Sequence, residues 1–317
     1  MTDRGQLLEG LRPYAFAIAY RMLGSVSEAE DVVQEALLRV HQALEAGERI
    51  VSPRVFVATV TSRLAINELR SARVRRERYV GEWLPEPTIT DGSDDPAQHA
   101  EMADSLSLAM LVLLESLSPE QRAVLLLHDV FDYGYPEIAE IIGKSEGHVR
   151  QLATRARRQV EQRRPRFQTT REQSDELARR FFAAAEQGDL AGLEALLAAD
   201  VELTGDGGGK VPALAGTLRG RSRVARTLLG WYRLDTLRKR GVSLRRVEVN
   251  GAPGALYLDA EQHLFGVVAL QIASGQIQGI RSVVNPDKLA HLGRVGDHLS
   301  LLRSAQDRRR PRPSGFS

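Results

Sequence analysis

The stretch that decides the fold is Leu117 to Val160, LSPEQRAVLLLHDVFDYGYPEIAEIIGKSEGHVRQLATRARRQV. Pro136 suits the first turn of a helix, where the backbone N–H that it lacks would have no partner. Gly143 can adopt the left-handed conformation that ends a helix, and Ser145 can accept the hydrogen bond that begins the next one. The sequence therefore predicts two helices joined by a short, sharp turn.

The second of these helices has a buried stripe and a basic outer face. Val149, Leu152, Ala156 and Val160 recur every three or four residues, which predicts that they point inward. Polar side chains near the N-terminal end of the outer face are placed as in a recognition helix that meets base edges, and the later arginines are placed for phosphates. The first group is Glu146, His148, Arg150, Gln151 and Thr154, and the second is Arg155, Arg157 and Arg158.

Local charge favours a DNA-binding helix-turn-helix over an ordinary solvated helical hairpin. Between Lys144 and Arg171 there are nine Lys and Arg residues against two Glu, which leaves +7. Cations concentrated in this way attract phosphate. The whole chain carries only +2, so the inference rests on the local distribution.

The length and composition of the chain exclude several classes of protein. A chain of 317 residues with 43% apolar residues is long enough for two or three domains with ordinary cores. Cysteine is absent, which excludes disulfides and thiolate metal sites and is typical of a reducing cytoplasm. The N-terminus has no apolar signal segment, and no run of about 18 apolar residues occurs, so we expect a cytoplasmic protein without a membrane partner.

Upstream of the hairpin, the sequence predicts three helices. Apolar residues at steps of three or four from Leu8 predict a first helix that ends near Gly24. Ser27 and Glu30 have the spacing of a capping box for the second helix. Ser52 and Pro53 predict an N-cap and first-turn proline for the third, which ends in a cluster of arginines. On the second helix, a polar face of Asp31, Gln34 and Glu35 is either simply solvated or an acidic docking surface.

The segment from Tyr79 to Ala97 is predicted to be a linker, because its prolines, glycines and acidic residues disfavour regular structure. Within it, Trp83 and Leu84 stand beside two prolines. A tether seldom carries such side chains without a pocket for them, so we expect this segment to dock, either on its own helical domain or elsewhere. A helix is expected from His99 to Leu117.

After Ser174 the pattern changes to that of a separate α+β domain. Two short helices, a strand VELTG and a helix from Ser222 to about Arg240 are predicted. Strand signals follow, with one hairpin across the Gly-Ala-Pro-Gly turn that starts at Gly251 and a second through Ser274 and Gly275.

The glycine-rich stretch Asp206 to Lys210 is not a phosphate-binding loop. That motif requires glycine where Thr204 stands and Ser or Thr where Val211 stands. Consecutive glycines instead suit a loop that receives another segment closely. Asp206, Asp259 and His263 are the candidates for a general base, but no spacing brings two of them together. The sequence therefore predicts neither catalysis nor a metal site nor a cofactor.

Three segments resemble extracytoplasmic-function sigma factors. They are SEAEDVVQEALLRVHQ from Ser27, SPRVFVATVTSRLAINELRSARVRRER from Ser52, and the helix-turn-helix. The resemblance implies that residues 1–80 form a sigma-2 domain, which docks on core RNA polymerase and opens the −10 element. It implies that residues 99–165 form a sigma-4 domain, which reads the −35 element.

The same resemblance implies a role for individual residues. Polymerase docking falls to Asp31, Gln34 and Glu35. The −10 contacts fall to the loop and helix that begin around Ser52, with Arg63, Asn67, Arg70 and Arg73. The −35 contacts fall to His148, Arg150, Gln151, Thr154 and Arg155, with Arg157 and Arg158.

The remainder resembles a SnoaL-like domain of the nuclear transport factor 2 superfamily, an extension that marks a subgroup of these sigma factors. The similarity lies in YVGEWLPEP from Tyr79, DGGGK from Asp206 and NPDKLAH from Asn285. The implied fold class is multidomain: two all-α sigma domains, a linker at 81–98, an α+β SnoaL-like cone at 174–292 and a disordered tail at 293–317.

These three strings predict a regulatory contact in cis. Its residues are Trp83, Leu84, Pro85, Glu86, Pro87, Asp206, Gly207, Gly208, Gly209, Lys210, Asn285, Pro286, Asp287 and Lys288. We therefore expect a sigma factor that is not an enzyme, whose partners are core RNA polymerase and promoter DNA. A small-molecule ligand of the C-terminal domain is left open. The alternative is a stand-alone helix-turn-helix regulator with a ligand-sensing or enzymatic C-terminal domain.

Overall fold

The computed structural model of the chain describes residues 3–90, 107–162, 169–232 and 241–297. It divides into two compact units. The first consists of Met1–Tyr79 and Thr90–Pro165, and the second of Val80–Ile89 and Arg166–Ser317. The segment Val80–Ile89, called the connector below, thus belongs to the second unit although its neighbours along the chain belong to the first.

The first unit begins with three long helices, α1 (Asp3–Leu23), α2 (Val26–Glu45) and α3 (Pro53–Glu77). Ser52 caps α3 as predicted, since its hydroxyl accepts the Val55 amide at 3.4 Å. The capping box at Ser27 was wrong. Gly24, at φ 67°, turns the chain at once, so Ser25 is the N-cap of α2 and accepts the Glu28 amide at 3.2 Å.

The described part of residues 107–162 then contains four shorter helices, α4 (Leu108–Leu114), α5 (Pro119–Asp129), α6 (Tyr135–Ile142) and α7 (Glu146–Glu161). Much of the helix expected from His99 lies outside the described residues. The described part starts later and ends earlier than predicted, because Ser107 caps α4 and Ser118 opens α5 with a capping box to Gln121.

The predicted helix-turn-helix is confirmed. Gly143 adopts φ 67° at the end of α6, and the Ser145 hydroxyl accepts the His148 amide at 3.4 Å to begin α7. The inward stripe of α7 is buried as expected, with Ala153 in addition. Its side chains join a hydrophobic core that also contains Ile18, Val33 and Ala65, so the N-terminal helices and the helix-turn-helix share one core.

The second unit contains α8 (Arg171–Gln187), α9 (Leu190–Leu196) and α10 (Arg221–Tyr232). The part of the predicted third helix beyond Tyr232, 233–240, lies outside the described residues. In the described parts of this unit the strands are β1 (Leu197–Asp206), β2 (Leu218–Arg219), β3 (Ser243–Val249), β4 (Ala252–Leu258), β5 (Leu264–Ala273) and β6 (Gln276–Val283). They form one sheet in the order β2-β1-β6-β5-β4-β3.

Two strand boundaries differ from the prediction. β1 begins at Leu197, four residues early, because Leu197 and Ala198 are buried in the sheet rather than at the end of a helix. The first hairpin turns at Asn250 and Gly251, at φ 51° and 72°, so Ala252, Pro253 and Gly254 lie within β4. The hairpin through Ser274 and Gly275 is confirmed.

One face of the sheet packs on the helices around Phe181 and Phe182. Side chains alternate along a strand, so on β5 Val268 and Leu270 point to the helices while Val267 and Ala269 point to the other face. Val267 and Ala269 are nevertheless only 1% and 4% exposed. The second face of the sheet is therefore also covered.

The chain after β6 contributes to the second unit. A short helix, α11 (Pro286–Leu289), begins at Asn285 as predicted and packs against β5. The expected disorder from residue 293 was wrong for the first five residues. Val295 pairs with Leu264, whose amide donates to the Arg294 carbonyl at 2.7 Å. Residues 298–317 lie outside the described residues.

Candidate functional sites

The outer face of α7 presents most of its predicted base and phosphate contacts to solvent. The exposed side chains are His148, Arg150, Gln151, Thr154, Arg155 and Arg158. Arg150, Gln151, Thr154 and Arg155 line one shallow groove. These four side chains therefore form a continuous polar surface on the N-terminal half of the helix.

Arg157 differs from its neighbours because it is tied to the preceding helices. Its Nε donates to the Asp129 carboxylate at 3.2 Å and its Nη2 also donates there, while its Nη1 donates to the Tyr135 hydroxyl at 3.0 Å. The hydrogen bond with Asp129 raises the pKa of Arg157 above its ordinary value. Half-buried and fully charged, Arg157 fastens α7 to α5 and α6.

The predicted −10 residues lie on α3 or at its N-cap, and two of them contact α5 or α6. Arg63 donates to the carbonyls of Ile141 at 2.7 Å and Glu140 at 2.9 Å, at the C-terminal end of α6. Arg70 pairs with Glu120 of α5 at 2.5 Å. Burial raises the pKa of Glu120, but the hydrogen bond from Arg70 and further favourable contacts lower it more, so the net shift is downward.

The remaining −10 candidates are less engaged. Asn67 is exposed and accepts a 3.4 Å hydrogen bond from Arg70. Ser52 serves as the cap of α3. Arg73 lies on α3, but its side chain is outside the described residues.

A buried cation joins the two halves of the first unit. Arg122, 2% exposed, donates to the carbonyls of Met22 at 2.5 Å and Leu114 at 3.1 Å and to the Glu115 carboxylate at 2.8 Å. Arg76 of α3 pairs with the same carboxylate. These bonds satisfy helix-end carbonyls, which would otherwise be costly to bury.

The polar face of α2 borders an acidic groove between α2 and α3. Its lining includes Glu28, Asp31, Glu35 and Glu68, with Asn67. Gln34 is exposed on the same helix, and Glu35 pairs with Arg39 at 2.8 Å. A concave acidic surface of this kind is chemically suited to a basic partner.

In the second unit the connector runs from the end of β1 to the turn between β3 and β4. The Leu84 amide donates to the Asp206 carboxylate, at the end of β1, at 2.8 Å. At the other edge, Thr88 exchanges hydrogen bonds with Asn250 at 2.9 and 3.1 Å, and Ile89 pairs with Val249. The segment Leu84 to Pro87 is buried.

A buried ion pair holds the connector at Leu84. Asp206 is 0% exposed, and its Oδ2 accepts both the Leu84 amide and the Lys288 ammonium, the latter at 2.7 Å. Lys288 also donates to the Leu84 carbonyl and lies 4.2 Å from the centre of the Trp83 ring. This ion pair thus contacts the connector at both Trp83 and Leu84.

The glycine loop fits closely against its neighbours. Gly208 adopts φ 61°, and a Cβ there would lie 2.2 Å from the Asn285 side chain. A Cβ at Gly209 would lie 3.0 Å from Val80 of the connector. Lys210 pairs with Asp287 at 2.6 Å. The three sequence strings therefore meet at one place.

Sequence reasoning missed several of the residues that hold the connector. Asn250 was passed over because the turn was placed too late, although Asn-Gly is itself a strong hairpin signal. His291, whose ring Nε2 lies 2.8 Å from the Pro87 carbonyl oxygen, has no local signal at all. Its partner is distant in sequence.

The statement that no two general-base candidates converge was wrong. His263 Nδ1 lies 3.1 Å from the Asp259 carboxylate, and the His263 amide donates to the same group at 2.7 Å. Glu261 lies nearby, with its carboxylate within 4.8 Å of both. These contacts close the turn between β4 and β5, whereas Asp206 is engaged by the connector.

Within the described residues, the helices are all too short or too polar to cross a membrane.

Comparison with known families identifies the two halves of the first unit. Residues 7–75 match the profile of Sigma-70 region 2, and residues 107–160 match that of Sigma-70 region 4. These ranges contain, respectively, the acidic groove with the α3 arginines and the helix-turn-helix.

Individual relatives match across both units. The ECF RNA polymerase sigma factor SigJ of Mycobacterium tuberculosis is 36% identical over 294 residues, 88% of this chain and 91% of the relative. The probable ECF RNA polymerase sigma factor SigI of the same species is 35% identical over 282 residues, 88% of this chain and 92% of the relative.

A solved structure agrees with the fold. The crystal structure of the M. tuberculosis SigJ has a TM-score of 0.71 with this chain at 35% identity, and the match covers 89% of this chain and 96% of that one. The predicted order, helical sigma domains followed by an α+β extension, is therefore confirmed. Together with the two sigma-70 regions, these likenesses show that the chain belongs to the extracytoplasmic-function family of RNA polymerase sigma factors.

Proposed function

We propose that the acidic groove and the outer face of α7 are the two working surfaces of this sigma factor. Asp31, Gln34 and Glu35 would dock on core RNA polymerase, and the exposed residues of α7 would read the −35 element. Ser52, Arg63, Asn67, Arg70 and Arg73 would contact the −10 element. In this proposal, residues 1–80 form the sigma-2 domain and residues 99–165 form the sigma-4 domain.

The docking surface is tested by replacing Asp31, Gln34 and Glu35 together with Ala. Surface substitutions change stability by no more than about 0.5 kcal/mol each, so the fold should persist while capture by core polymerase is lost. Replacement of the exposed Glu45 and Glu48 by Ala is the control and should leave capture unchanged. Normal capture by the triple variant would refute the assignment.

We further propose that the C-terminal domain, 174–292, regulates the sigma domains in cis through the connector. The observation that carries this proposal is the buried Asp206 carboxylate, which holds the Leu84 amide and Lys288. Because the connector joins sigma-2 to sigma-4 along the chain, its capture limits how far the two can separate. The two states differ in the separation of sigma-2 and sigma-4. A ligand or partner would shift the population of one state by no more than the difference between its affinities for the two.

This proposal assigns the C-terminal domain a binding role rather than a catalytic one. Two candidate general bases have structural partners: Asp206 holds the connector, and Asp259 closes a turn with His263.

Run-off transcription with core polymerase tests the regulation. Asp206→Asn combined with Lys288→Met removes both charges, so neither is left buried alone. We expect promoter-dependent transcription to change while the affinity of the helix-turn-helix for DNA does not. Arg179→Met, which breaks only an exposed ion pair with Glu176 on α8, is the control. If a chain ending at residue 167 transcribes as the full chain does, and the double variant does likewise, the regulatory role is refuted.

A further inference from the structure

We infer that Tyr135 and Glu146 are positioning residues that hold Arg150 in the orientation needed to recognise a guanine of the upstream promoter element. The inference rests on the proposed function of α7. It specifies the base that is recognised, the residue that recognises it and the two side chains that orient this residue.

Tyr135, the first residue of α6, lies beside two arginines of α7. The guanidinium carbon of Arg150 is 4.7 Å from the centre of its ring, while its hydroxyl accepts a hydrogen bond from Arg157. Arg157 is itself held by Asp129, so the tyrosine is fixed at its polar end. The Tyr135 ring also packs edge-to-face against the His128 ring, with the two ring centres 4.3 Å apart.

Glu146 holds the side of the same guanidinium. Arg150 Nε and Nη2 donate to the Glu146 Oε1 atom at 3.0 and 2.6 Å. An arginine has five N–H groups, and this contact uses the Nε–H and one of the Nη2 hydrogens. Among the residues that the structure describes, none takes the Nη1 hydrogens or the second Nη2 hydrogen.

The available hydrogens form the end-on fork of the guanidinium. That fork donates to two acceptors at once, which is the arrangement of O6 and N7 on the major-groove edge of guanine. The Arg150 side chain is 58% exposed, so a base edge can reach it. With its guanidinium beside the Tyr135 ring and its side on Glu146, Arg150 loses less conformational freedom on binding than a free arginine would.

Arg157 shows what a structural arginine on the same helix looks like. Asp129 takes its Nε and Nη2 groups, and Tyr135 accepts from Nη1, so both of its edges are occupied. It is also half-buried. Arg150, with one edge occupied and one free, is the arginine that is both oriented and available.

Glu146 also affects how strongly DNA is attracted in general. Its negative charge opposes phosphate while it fixes the direction of Arg150. Glu146→Gln should therefore strengthen binding to all sequences and weaken base discrimination, two changes of opposite sign. Loss of fold would not produce that combination.

The test is selection of promoter DNA by the full chain with core polymerase, from a pool randomised at the −35 element and read by sequencing. Wild type should prefer G at one position by at least about tenfold. Arg150→Lys and Tyr135→Leu should reduce that preference to below about twofold at the same position only. Tyr135→Phe keeps the ring and should retain it.

Two results would overturn the inference. One is unchanged discrimination in Tyr135→Leu and Glu146→Gln, and the other is an even loss of preference at all positions. Should Tyr135→Leu fail to fold, Arg150→Lys and Glu146→Gln still decide the matter. If wild type itself shows no sequence preference in the −35 element, the proposed function of α7 fails instead.

Discussion

At the scale of single residues, the buried Arg122 is the most exacting requirement of the first unit. It connects the end of α1, through the Met22 carbonyl, to the end of α4, through Leu114. Burial lowers the pKa of its guanidinium, yet an arginine stays charged at any physiological pH. A charge in that position is tolerated because three acceptors, the Met22 and Leu114 carbonyls and the Glu115 carboxylate, receive its N–H groups.

Arg122→Met should destabilise the first unit by about 3 kcal/mol, the lower end of the range for breaking a buried ion pair, because Arg76 still pairs with Glu115. Urea unfolding followed by helical circular dichroism measures this. The control is Arg12→Met, which removes an exposed pair with Glu30 and should cost less than about 1 kcal/mol. Equal losses in the two variants would contradict the prediction.

Tyr133 gives the same unit a sensitivity to alkali. Its hydroxyl lies 2.8 Å from that of Tyr14, and burial, with this hydrogen bond, raises the pKa of Tyr133 well above 10. The unfolded chain releases this proton near pH 10 and the folded chain only at higher pH. The contribution to stability is therefore complete below about pH 10 and is lost as pH rises through the folded pKa.

Between about pH 9 and 11 we expect the unfolding free energy of wild type to fall more steeply than that of Tyr133→Phe, which has no proton to release. Chemical unfolding at fixed pH steps compares the two. Parallel curves would mean that the hydroxyl pair contributes nothing to the pH dependence.

At the scale of elements, the turn of the helix-turn-helix depends on backbone freedom at Gly143. No atom lies within 4 Å of a Cβ built there, so only the left-handed conformation at φ 67° disfavours a side chain. Gly147 has equally open space but lies inside α7. Substitutions at the two glycines therefore differ in the backbone conformation that the new side chain must adopt, and not in crowding.

Gly143→Ala should destabilise the first unit by about 1 kcal/mol, because Ala adopts the left-handed conformation at a cost. Gly147→Ala should stabilise it by up to about 1 kcal/mol, because Ala has the higher helix propensity. Thermal unfolding midpoints measured side by side test this opposition. Shifts of the same sign would refute it.

Elements with local signals were predictable from the sequence. Pro136, Gly143 and Ser145 each fix their own backbone, so the helix-turn-helix was predicted with its bounds. Ser25 and Ser27 are equally good caps in isolation, and only the immediate turn at Gly24 decides between them. The parallel pairing of β1 with β6 had no local signal, since nearly 80 residues separate Leu203 from its partner Ile280.

The same distinction holds for the candidate sites, where some features could be predicted from the sequence and others could not. The exposed face of α7 followed from helical periodicity, because outward positions on one helix are set by its inward ones. That Arg63 contacts the carbonyls of Glu140 and Ile141, or that Arg157 is tied to Asp129, depends on how helices pack. Sequence spacing alone carries no information about such contacts.

At the scale of the whole molecule, the connector lies between the two sigma regions in the sequence but folds as part of the second unit. Leu84 is 1% exposed and lies between Asp206 and Lys288, whereas Val80 at the start of the connector is 67% exposed. Leu84 is therefore buried within the second unit, whereas Val80 faces solvent. The anchoring of the connector therefore depends on Leu84 and its polar neighbours.

Leu84→Ala should cost about 2 to 5 kcal/mol of connector docking, as for other buried leucines. Hydrogen exchange should then speed up at the amides of 84–89 and at the Asn250 amide, which donates to Thr88, with the helix-packed core unaffected. Val80→Ala is the matched control and should leave exchange unchanged. Faster exchange throughout the second unit would indicate general unfolding instead of release of the connector.

The Lys288 to Leu84 hydrogen bond joins residues 204 positions apart in the chain. A ribosome adds about 5 to 20 residues per second, so Leu84 is made roughly 10 to 40 s before Lys288. The sigma-4 domain, which ends at residue 165, is complete 123 residues before Lys288, so for roughly 6 to 25 s a newly made chain carries both sigma domains with the connector still unbound. Each molecule thus passes, once in its life and before the extension is finished, through a period in which its sigma domains are free of it.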